Sequence, residues 1–298
     1  DDQAAIDGFA AAAEIAAGSA GCALVVCADR MSNGPVVYYP DASAPGGNGL
    51  TEKWTLDNFG HDPYAKNAMI DTAENASARL GVTMAELNEV TLARYAQYQA
   101  ALADDRAFQR RYMVEAPLFD SGFRRQTGTL AADEGIFPTT AEGLAKLKPV
   151  KPNGTHTFGT QTHPADGNAG MIVTTRELAR ALSTDSAIEV ELLGFGQARV
   201  EKGYMPLAPA PAAQVALKQA GLTIKDVDAV KSHNPFAAND IAFARDTGFP
   251  LGKMNNYGCS LIWGHPQGPT GLRSTIELIE ELSLRGGGLG LFTGCAAG

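Results

Sequence analysis

Hydrophobic and polar positions along the first part of the chain predict a helix followed by a strand. Residues 3–17 are rich in alanine, with larger apolar side chains at intervals, and the glycines within residues 18–21 end the run. The apolar run at residues 23–27 is short and uninterrupted, as expected of a strand that is buried on both faces. A helix followed directly by such a strand favours a layered α/β fold.

The same alternation of helix and strand patterns returns in the last third of the chain. Residues 209–221 have proline near their start and glycine at their end, which is typical of a helix, and a strand is predicted at residues 229–230. Residues 272–278 begin another predicted helix, and residues 289–293 predict a buried strand. We also expect a second strand region to open at residues 188–196.

A long stretch between these two parts predicts an insertion of different character. Residues 40–49 are rich in proline, glycine and small residues, which is typical of a loop. Two helices are predicted after it, at residues 69–81 and 84–103. Thr83 and Glu86 have the spacing of a capping box, which marks the start of the second helix.

Composition narrows the class of protein. The 298 residues are 45% hydrophobic, which is enough for a large core and for two domains. The formal net charge is -9 and no basic run occurs, so we do not expect nucleic acid as a partner. No apolar run reaches the length of a membrane span and no signal-peptide pattern is visible, so we expect no membrane association.

The chain has four cysteines, Cys22, Cys27, Cys259 and Cys295. None of them forms a Cys-x-x-Cys pair, so reduced thiols fit the pattern better than disulfides or a zinc site. We therefore expect a cytoplasmic location and no bound metal.

The most distinctive stretch joins a Gly-His-Pro motif to a predicted helix. Gly264 and Gly268 are expected to free the backbone on either side of a stiff His-Pro corner, and Thr270 is expected to cap the helix. His265 would thus lie on a stiff loop at a helix entrance, a good place for acid–base chemistry. Cys295 ends the last predicted strand among small residues. The alternative interpretation is a plain loop histidine and a core cysteine.

The order and spacing of these motifs resemble the C-terminal signature of the thiolases, which are acyl-CoA:acetyl-CoA C-acyltransferases. The signature here is Gly264-His265-Pro266-x-Gly268-x-x-Gly271, then a helix, a glycine-rich turn and a strand that ends in Cys-x-x-Gly. The resemblance implies an α/β thiolase fold with five layers, αβαβα, and an inserted helical loop domain.

The resemblance also implies a division of the chain. Residues 1–33 and 151–187 would belong to the N-terminal thiolase domain, residues 34–150 to the loop domain and residues 188–298 to the C-terminal domain. The first strands and the last strand of the family would lie outside the chain. The family's nucleophilic cysteine is expected at or just before Asp1.

The thiolase resemblance further implies roles for the motif residues. His265 would deprotonate the upstream cysteine and donate to a thioester oxygen, and Cys295 would exchange a proton with the substrate α-carbon. A second oxyanion site would use a backbone N–H near Ala297. Coenzyme A would be a substrate, and no permanently bound cofactor is expected.

The segment His233-Asn234-Pro235-Phe236 stands where thiolases have Asn-Glu-Ala-Phe or, in the sterol-carrier-type branch, His-Asp-x-Phe. His233 would help to hold a catalytic water, with Phe236 packing beneath it. The alternative is a strand-end histidine that only bonds backbone. The motif suggests a specialised branch that resembles either the sterol-carrier-type thiolases or benzoylsuccinyl-CoA thiolase, and the latter works with a small OB-fold and zinc-ribbon partner.

CoA contacts are expected along the glycine- and threonine-rich loop that precedes residue 170. Thr162 falls at a serine of the family and His163 at a glycine, and we interpret His163 as a plain loop histidine. The pantetheine would run past Thr162, with Gly264 and Phe236 as further contacts. The nucleotide would lie near residues 144–150, at the exit of the loop domain.

Functions from two different classes fit these motifs. The first is a CoA-dependent C-acyltransferase of fatty acid or aromatic acid metabolism, which cleaves or forms a 3-oxoacyl-CoA through a Claisen-type reaction and acts as a homodimer or a dimer of dimers. The second is a thiolase-like scaffold subunit without acyl transfer. A third possibility, closer to the first, is a retro-aldolase component acting on CoA thioesters. A cysteine just upstream of Asp1 would favour the first.

Overall fold

The computed structural model describes residues 3–296, without the side chains of residues 3–7, 54 and 55. Its helices, in chain order, are α1 (Gln3–Ala16), α2 (Trp54–Gly60), α3 (Met69–Leu80), α4 (Met84–Ala101), α5 (Ala103–Arg106), α6 (Ala141–Ala145), α7 (Arg176–Leu182), α8 (Pro209–Gln219), α9 (Ala237–Thr247), α10 (Ser260–Trp263) and α11 (Pro269–Leu284). The helices predicted at residues 69–81, 84–103 and 209–221 are therefore confirmed. Among residues 3–296, no helix combines the length and the apolar character that crossing a membrane requires.

The strands pair in twos. They are β1 (Cys22–Arg30), β2 (Val36–Tyr39), β3 (Leu50–Lys53), β4 (Ala116–Phe119), β5 (Gln126–Leu130), β6 (Asp166–Thr174), β7 (Ala229–Ser232) and β8 (Gly290–Thr293). β1 pairs antiparallel with β6, with Cys22 opposite Thr174. β7 pairs parallel with β8, with Ala229 opposite Gly290. The pairs β2–β3 and β4–β5 are antiparallel.

Helix α11 lies between the β1–β6 pair and the β7–β8 pair. Leu272 of α11 packs in one buried cluster with Val25 of β1. From another side of the same helix, Glu277 accepts a hydrogen bond from Lys231 Nζ of β7 at 3.0 Å. A Cβ added at Gly290 of β8 would lie 2.8 Å from the side chain of Leu278. One helix therefore supports both sheets.

The other face of the β7–β8 pair is covered by α8 and α9. Val230 and Leu291 are opposite each other in register, and they share a buried cluster with Leu217 of α8 and Phe243 of α9. Successive side chains of a strand point to opposite faces, so this face is distinct from the one that meets α11. Both strands are thus buried on two sides, as the sequence predicts for residues 289–293.

The β1–β6 pair is covered on one face only, so the prediction that β1 is buried on both faces is wrong. Val25 is 7% exposed, whereas Leu24 and Val26 are 69% and 60% exposed. Only the Val25 face meets α11 and the side chain of Ala11 from α1. Within residues 3–296 the layers are therefore α8 with α9, β7–β8, α11 with α1, and β1–β6, in agreement with the predicted layered α/β fold.

No strand forms at residues 188–196 of the described chain, so this prediction is also wrong. The segment runs beside α8, where the N–H of Phe195 donates to Gln219 Oε1 at 2.9 Å. Glu189 pairs with Arg176 at 2.8 Å. A strand needs a neighbouring strand for its backbone groups, and no strand within residues 3–296 pairs with this segment.

Residues 34–150 contain hairpins as well as the predicted helices, so this insertion is not purely helical. The loop predicted at residues 40–49 joins β2 to β3. Thr83 and Glu86 form the predicted capping box, since the N–H of Thr83 donates to Glu86 Oε2 at 2.8 Å and the N–H of Glu86 donates to Thr83 Oγ1 at 3.3 Å.

A buried ion pair ties α4 to α9. Arg94 Nε donates to Asp240 Oδ2 at 2.7 Å, and both side chains are excluded from solvent. Arg94 also donates to the carbonyl oxygens of Met254 and Leu251 at 2.9 and 3.0 Å. A buried charge is tolerated only with such partners, so α4 supports the segments that follow β7 and α9.

Candidate active site

The predicted stiff loop carries His265 between α10 and α11. Gly264 has a φ of +95°, a conformation that favours glycine, and a Cβ there would lie 2.8 Å from the Cβ of Ala165. The N–H of His265 donates to the carbonyl oxygen of His163 at 2.8 Å. Backbone contacts therefore fix the position of His265 independently of its side chain.

Thr270 supports the His265 ring and does not cap α11, contrary to prediction. Thr270 Oγ1 lies 2.7 Å from His265 Nδ1, and Thr270 is fully buried. The helix begins at Pro269, so Thr270 already lies within its first turn and is not at the capping position.

The start of α11 is satisfied by Asp29 of β1. The N–H of Gly268 donates to Asp29 Oδ2 at 2.8 Å, and a carboxylate is favourable at a helix N-terminus. Gly268 itself has a φ of -49°, which any residue adopts, so the predicted need for backbone freedom there is wrong. A Cβ at Gly268 would lie 2.8 Å from the same carboxylate oxygen, so close approach is the constraint.

The side chains of His233 and His265 stack on each other. Their ring centroids are 4.2 Å apart and their planes are inclined by 25°. Only 2% of His233 and 6% of His265 is exposed. Burial lowers the pKa of His265 to about 3 and the pKa of His233 well below its usual value. Both rings are therefore neutral at pH 7.

His233 is held at the end of β7 from two directions. Its N–H donates to the carbonyl oxygen of Thr293 in β8 at 2.9 Å. Its Nδ1 lies 2.8 Å from Ser260 Oγ, which also accepts the N–H of Asn234 at 3.1 Å. The alternative of a histidine that only bonds backbone does not describe this side chain, because its ring contacts both Ser260 and His265.

Cys295 follows β8 and is buried. Asn239 of α9 donates from Nδ2 to Cys295 Sγ at 3.2 Å and accepts the N–H of Phe236 at Oδ1, also at 3.2 Å. His233 and Cys295 thus lie at the same ends of two neighbouring parallel strands, and His265 joins them through its contact with His233. The structure brings these predicted residues to one edge of the β7–β8 pair.

Thr162 and Phe236 lie beside this edge. Thr162 Oγ1 donates to the carbonyl oxygen of Ser260 at 2.5 Å, so its hydroxyl is already paired within the protein. Phe236 is buried, and its ring meets that of His156 edge to face at a centroid distance of 5.4 Å. Both side chains therefore help to shape the backbone around His233.

The remaining predictions concern Ala297, the nucleophile, a metal site and the state of the cysteines. Ala297 lies outside the described residues, and so does the position at or just before Asp1 where the nucleophile is expected. Within residues 3–296, no three His, Cys, Asp or Glu side chains are grouped so that they could hold a metal ion. All four cysteines lie in this described part, and each is a thiol, not half of a disulfide.

Sequence reasoning missed Ser260 and Asn239, and it assigned the wrong role to Thr270. Ser260 is a polar residue within the apolar run Cys259-Ser260-Leu261-Ile262-Trp263, which is a signal of a buried hydroxyl with a specific partner. Asn239 lies three positions after Phe236 at the start of α9, where its amide reaches back to the preceding backbone.

Two family models match the chain. They are described as "Thiolase, N-terminal domain", over residues 4–177, and "Thiolase, C-terminal domain", over residues 187–298. The chain is also 34% identical over 219 residues to the peroxisomal 3-ketoacyl-CoA thiolase A of Mus musculus, in a match covering 72% of this chain and 51% of the relative. The chain therefore spans about half the length of that curated relative.

Solved structures share the fold. The crystal structure of human mitochondrial 3-ketoacyl-CoA thiolase superposes with a TM-score of 0.87 at 27% identity, covering 99% of this chain and 73% of that one. The same human enzyme in complex with CoA gives a TM-score of 0.87 at 26% identity, covering 99% of this chain and 72% of that one. These superpositions establish a common α/β architecture.

Proposed function

Because the chain belongs to the thiolase family, we propose that it is a CoA-dependent C-acyltransferase that cleaves or forms a 3-oxoacyl-CoA through a Claisen-type reaction. The observation that carries the proposal is the stacked pair of His233 and His265 at the strand ends where Cys295 also lies. In the cleavage direction, a 3-oxoacyl-CoA and CoA give a shortened acyl-CoA and acetyl-CoA.

The reaction needs an acyl carrier, which we assign to a cysteine upstream of Asp1. Its thiolate attacks the C3 carbonyl, the C2–C3 bond breaks, and the acetyl-CoA enolate leaves. His265 takes the thiol proton. Although burial disfavours a charged imidazole, a thiolate beside it forms an ion pair with the protonated ring and offsets this cost.

Cys295 completes the cleavage by giving a proton to the α-carbon of the enolate, and in the condensation direction it removes that proton. CoA then attacks the acyl-enzyme and releases the shortened acyl-CoA. Enolate charge requires preorganised hydrogen-bond donors. We assign these to His265 and to a water held by His233, and the second oxyanion site to a backbone N–H near Ala297.

We place the pantetheine of CoA past Thr162 and Gly264, with Phe236 behind the backbone and the nucleotide near residues 144–150. Because the Thr162 hydroxyl donates its proton to the carbonyl of Ser260, Thr162 can offer the ligand only an acceptor oxygen from its side chain. Gly264 has no side chain, so we place the pantetheine against its backbone.

We further propose that the protein acts as a homodimer or a dimer of dimers in the cytoplasm. The spacing of the cysteines, which contains no Cys-x-x-Cys pair, supports a reducing compartment. A small OB-fold and zinc-ribbon protein is a second candidate partner.

The experiment that tests this function is thiolysis of a panel of 3-oxoacyl-CoAs by the full-length protein, with formation of acetyl-CoA as the readout. We expect turnover with at least one chain length or aromatic acyl group. If the purified protein binds CoA but releases no acetyl-CoA from any member of the panel, the acyltransferase assignment is wrong and a scaffold role replaces it.

A further inference from the structure

The hydroxyl of Ser260 lies at the centre of three polar groups behind the His233 ring. Its Oγ is 2.8 Å from His233 Nδ1, 3.1 Å from the backbone nitrogen of Asn234 and 3.2 Å from Asn234 Oδ1. Ser260 and Asn234 are fully buried, and His233 is nearly so. Buried polar groups must form hydrogen bonds with one another, and this requirement fixes which group donates and which accepts in each contact.

The orientation of the Asn234 amide is set by Asp240. Asn234 Nδ2 lies 2.8 Å from Asp240 Oδ2, which also accepts from Arg94 Nε at 2.7 Å. A carboxylate paired with a guanidinium only accepts hydrogen bonds, so the amide must present its nitrogen to Asp240. Its oxygen therefore faces Ser260 and the N–H of Leu261, which it accepts at 3.1 Å.

The Ser260 hydroxyl has a single proton, and Asn234 Oδ1 is the one favourable acceptor for it. Asn234 Oδ1 can only accept a hydrogen bond, and the backbone N–H of Asn234 can only donate one. If the hydroxyl donated to His233 Nδ1, its oxygen would face Asn234 Oδ1 with two lone pairs opposed in a buried place. If it donates to Asn234 Oδ1, all three contacts are satisfied, provided that His233 Nδ1 carries a proton.

His233 has only one ring proton at neutral pH. Burial, and then the neighbouring His265, lower the pKa of His233 well below its usual value, so the neutral imidazole is the stable form. A neutral imidazole that carries its proton on Nδ1 has a lone pair on Nε2. The hydrogen bonds around Ser260 thus determine whether His233 Nε2 acts as a hydrogen-bond donor or as an acceptor.

We propose that Ser260 is a positioning residue that fixes His233 in the Nδ1–H form, so that Nε2 faces the reaction as a hydrogen-bond acceptor. The inference rests on the proposed function for its chemical meaning. The ring cannot then donate directly to the thioester oxygen. A water must then donate one hydrogen bond to His233 Nε2 and a second hydrogen bond to the enolate oxygen. Ser260 thereby fixes the direction of both hydrogen bonds.

Nuclear magnetic resonance of the full-length protein labelled with nitrogen-15 in the histidine rings tests this directly. The His233 signals are assigned by their loss in His233→Gln. We expect Nδ1 to show the protonated signature and Nε2 the acceptor signature. An Nε2–H signature in the wild-type protein overturns the proposal, and this measurement needs neither turnover nor a variant of Ser260.

The variant Ser260→Ala removes the acceptor for the Nδ1 proton, so the ring should shift towards the Nε2–H form. Ser274→Ala is the matched control, because Ser274 is equally buried but its hydroxyl has no hydrogen-bond partner among residues 3–296. It should leave the ring signals unchanged. If the His233 signature is the same in Ser260→Ala as in the wild type, Ser260 does not determine the tautomer.

Kinetics separate this inference from the proposed function. In thiolysis, Ser260→Ala should lower kcat with little change in KM, by less than the roughly 10²–10³-fold loss typical of removing an oxyanion donor itself. An Nδ1–H ring in a protein without thiolysis activity would leave the role of Ser260 intact and remove the acyltransferase function. Normal kcat in Ser260→Ala, with an altered tautomer, would show that the polarity of His233 does not matter to the reaction.

Discussion

The ring of His233 lies against the ring of His265, and each ring has a buried hydroxyl at its Nδ1. Ser260 Oγ is 2.8 Å from Nδ1 of the first, and Thr270 Oγ1 is 2.7 Å from Nδ1 of the second. A hydroxyl at Nδ1 therefore orients each ring, and Nε2 of each ring points away from that hydroxyl.

Acid should destabilise the protein through His265. Its pKa is about 3 in the folded chain and about 6.5 in an unfolded one. Between these values the unfolded state binds more protons, so stability is complete above about pH 6.5 and falls as the pH drops towards 3. We expect His265 to account for a loss of about 2 kcal/mol between pH 8 and pH 5, at about 1.36 kcal/mol per pH unit below 6.5.

Urea unfolding of the wild type and of His265→Gln at both pH values measures this contribution. The variant should show a shallower dependence on pH. Equal slopes for the two proteins would mean that His265 is protonated as easily in the folded chain as in the unfolded one.

Replacing Thr270 should affect turnover more than substrate binding. Thr270→Val keeps the shape of the side chain but removes the hydroxyl at His265 Nδ1, so the ring loses its fixed orientation. We expect kcat to fall, by less than the roughly 10²–10⁴-fold that loss of the acid–base group itself costs, with KM nearly unchanged.

The control for Thr270→Val is Thr275→Val on the same helix, because Thr275 Oγ1 donates to the carbonyl oxygen of Gly271, at 2.9 Å, within the helix itself. Steady-state thiolysis kinetics compare the two variants. A similar kcat for both would contradict a specific role of Thr270.

The ion pair between Arg94 and Asp240 should be much more important for stability than an exposed pair. Arg94→Met leaves Asp240 charged and buried, which typically costs about 3–5 kcal/mol. Arg180→Met is the matched change at the surface, where Arg180 lies 2.7 Å from Glu189 and is largely exposed, and such pairs contribute about 0–1 kcal/mol. Urea unfolding at pH 7 should separate the two variants, and similar losses for both would contradict the account of α4 as a support.

The positions of the candidate site residues could be predicted from the sequence because these residues lie in local motifs. The spacing around His265 and Cys295, and the strand that precedes His233, were enough to place all three at the ends of elements. The need for backbone freedom at Gly264 was predicted correctly for the same reason, because a positive φ in a tight turn is a requirement on a single residue.

Features that depend on distant partners could not be predicted in this way. Asp29 caps α11 from β1, so nothing near Gly268 in the sequence announces it. The apolar run of β1 does not reveal that Leu24 faces solvent, because exposure depends on which layers cover the strand. Residues 188–196 have the composition of a strand, but strand formation requires a pairing partner as well.

The position proposed for pantetheine predicts the effect of a bulky side chain. Thr162→Trp should obstruct the channel and raise the Kd for CoA by more than about tenfold, which corresponds to about 1.4 kcal/mol. Thr129→Trp is the control, since Thr129 is exposed on β5. Calorimetric titration with CoA measures both, and an unchanged Kd in Thr162→Trp would show that the pantetheine lies elsewhere.

The central claim is that Cys295 exchanges a proton with the α-carbon at a site built by His233 and His265. The measurement that tests it most directly is the exchange of the α-protons of acetyl-CoA in deuterium oxide, followed by proton NMR with the full-length protein. Cys295→Ala should slow this exchange by about 10²–10⁴-fold while still forming the acyl-enzyme from an acyl-CoA. Cys22→Ala, which removes an exposed thiol, should exchange as fast as the wild type. Full α-proton exchange in Cys295→Ala would contradict the claim.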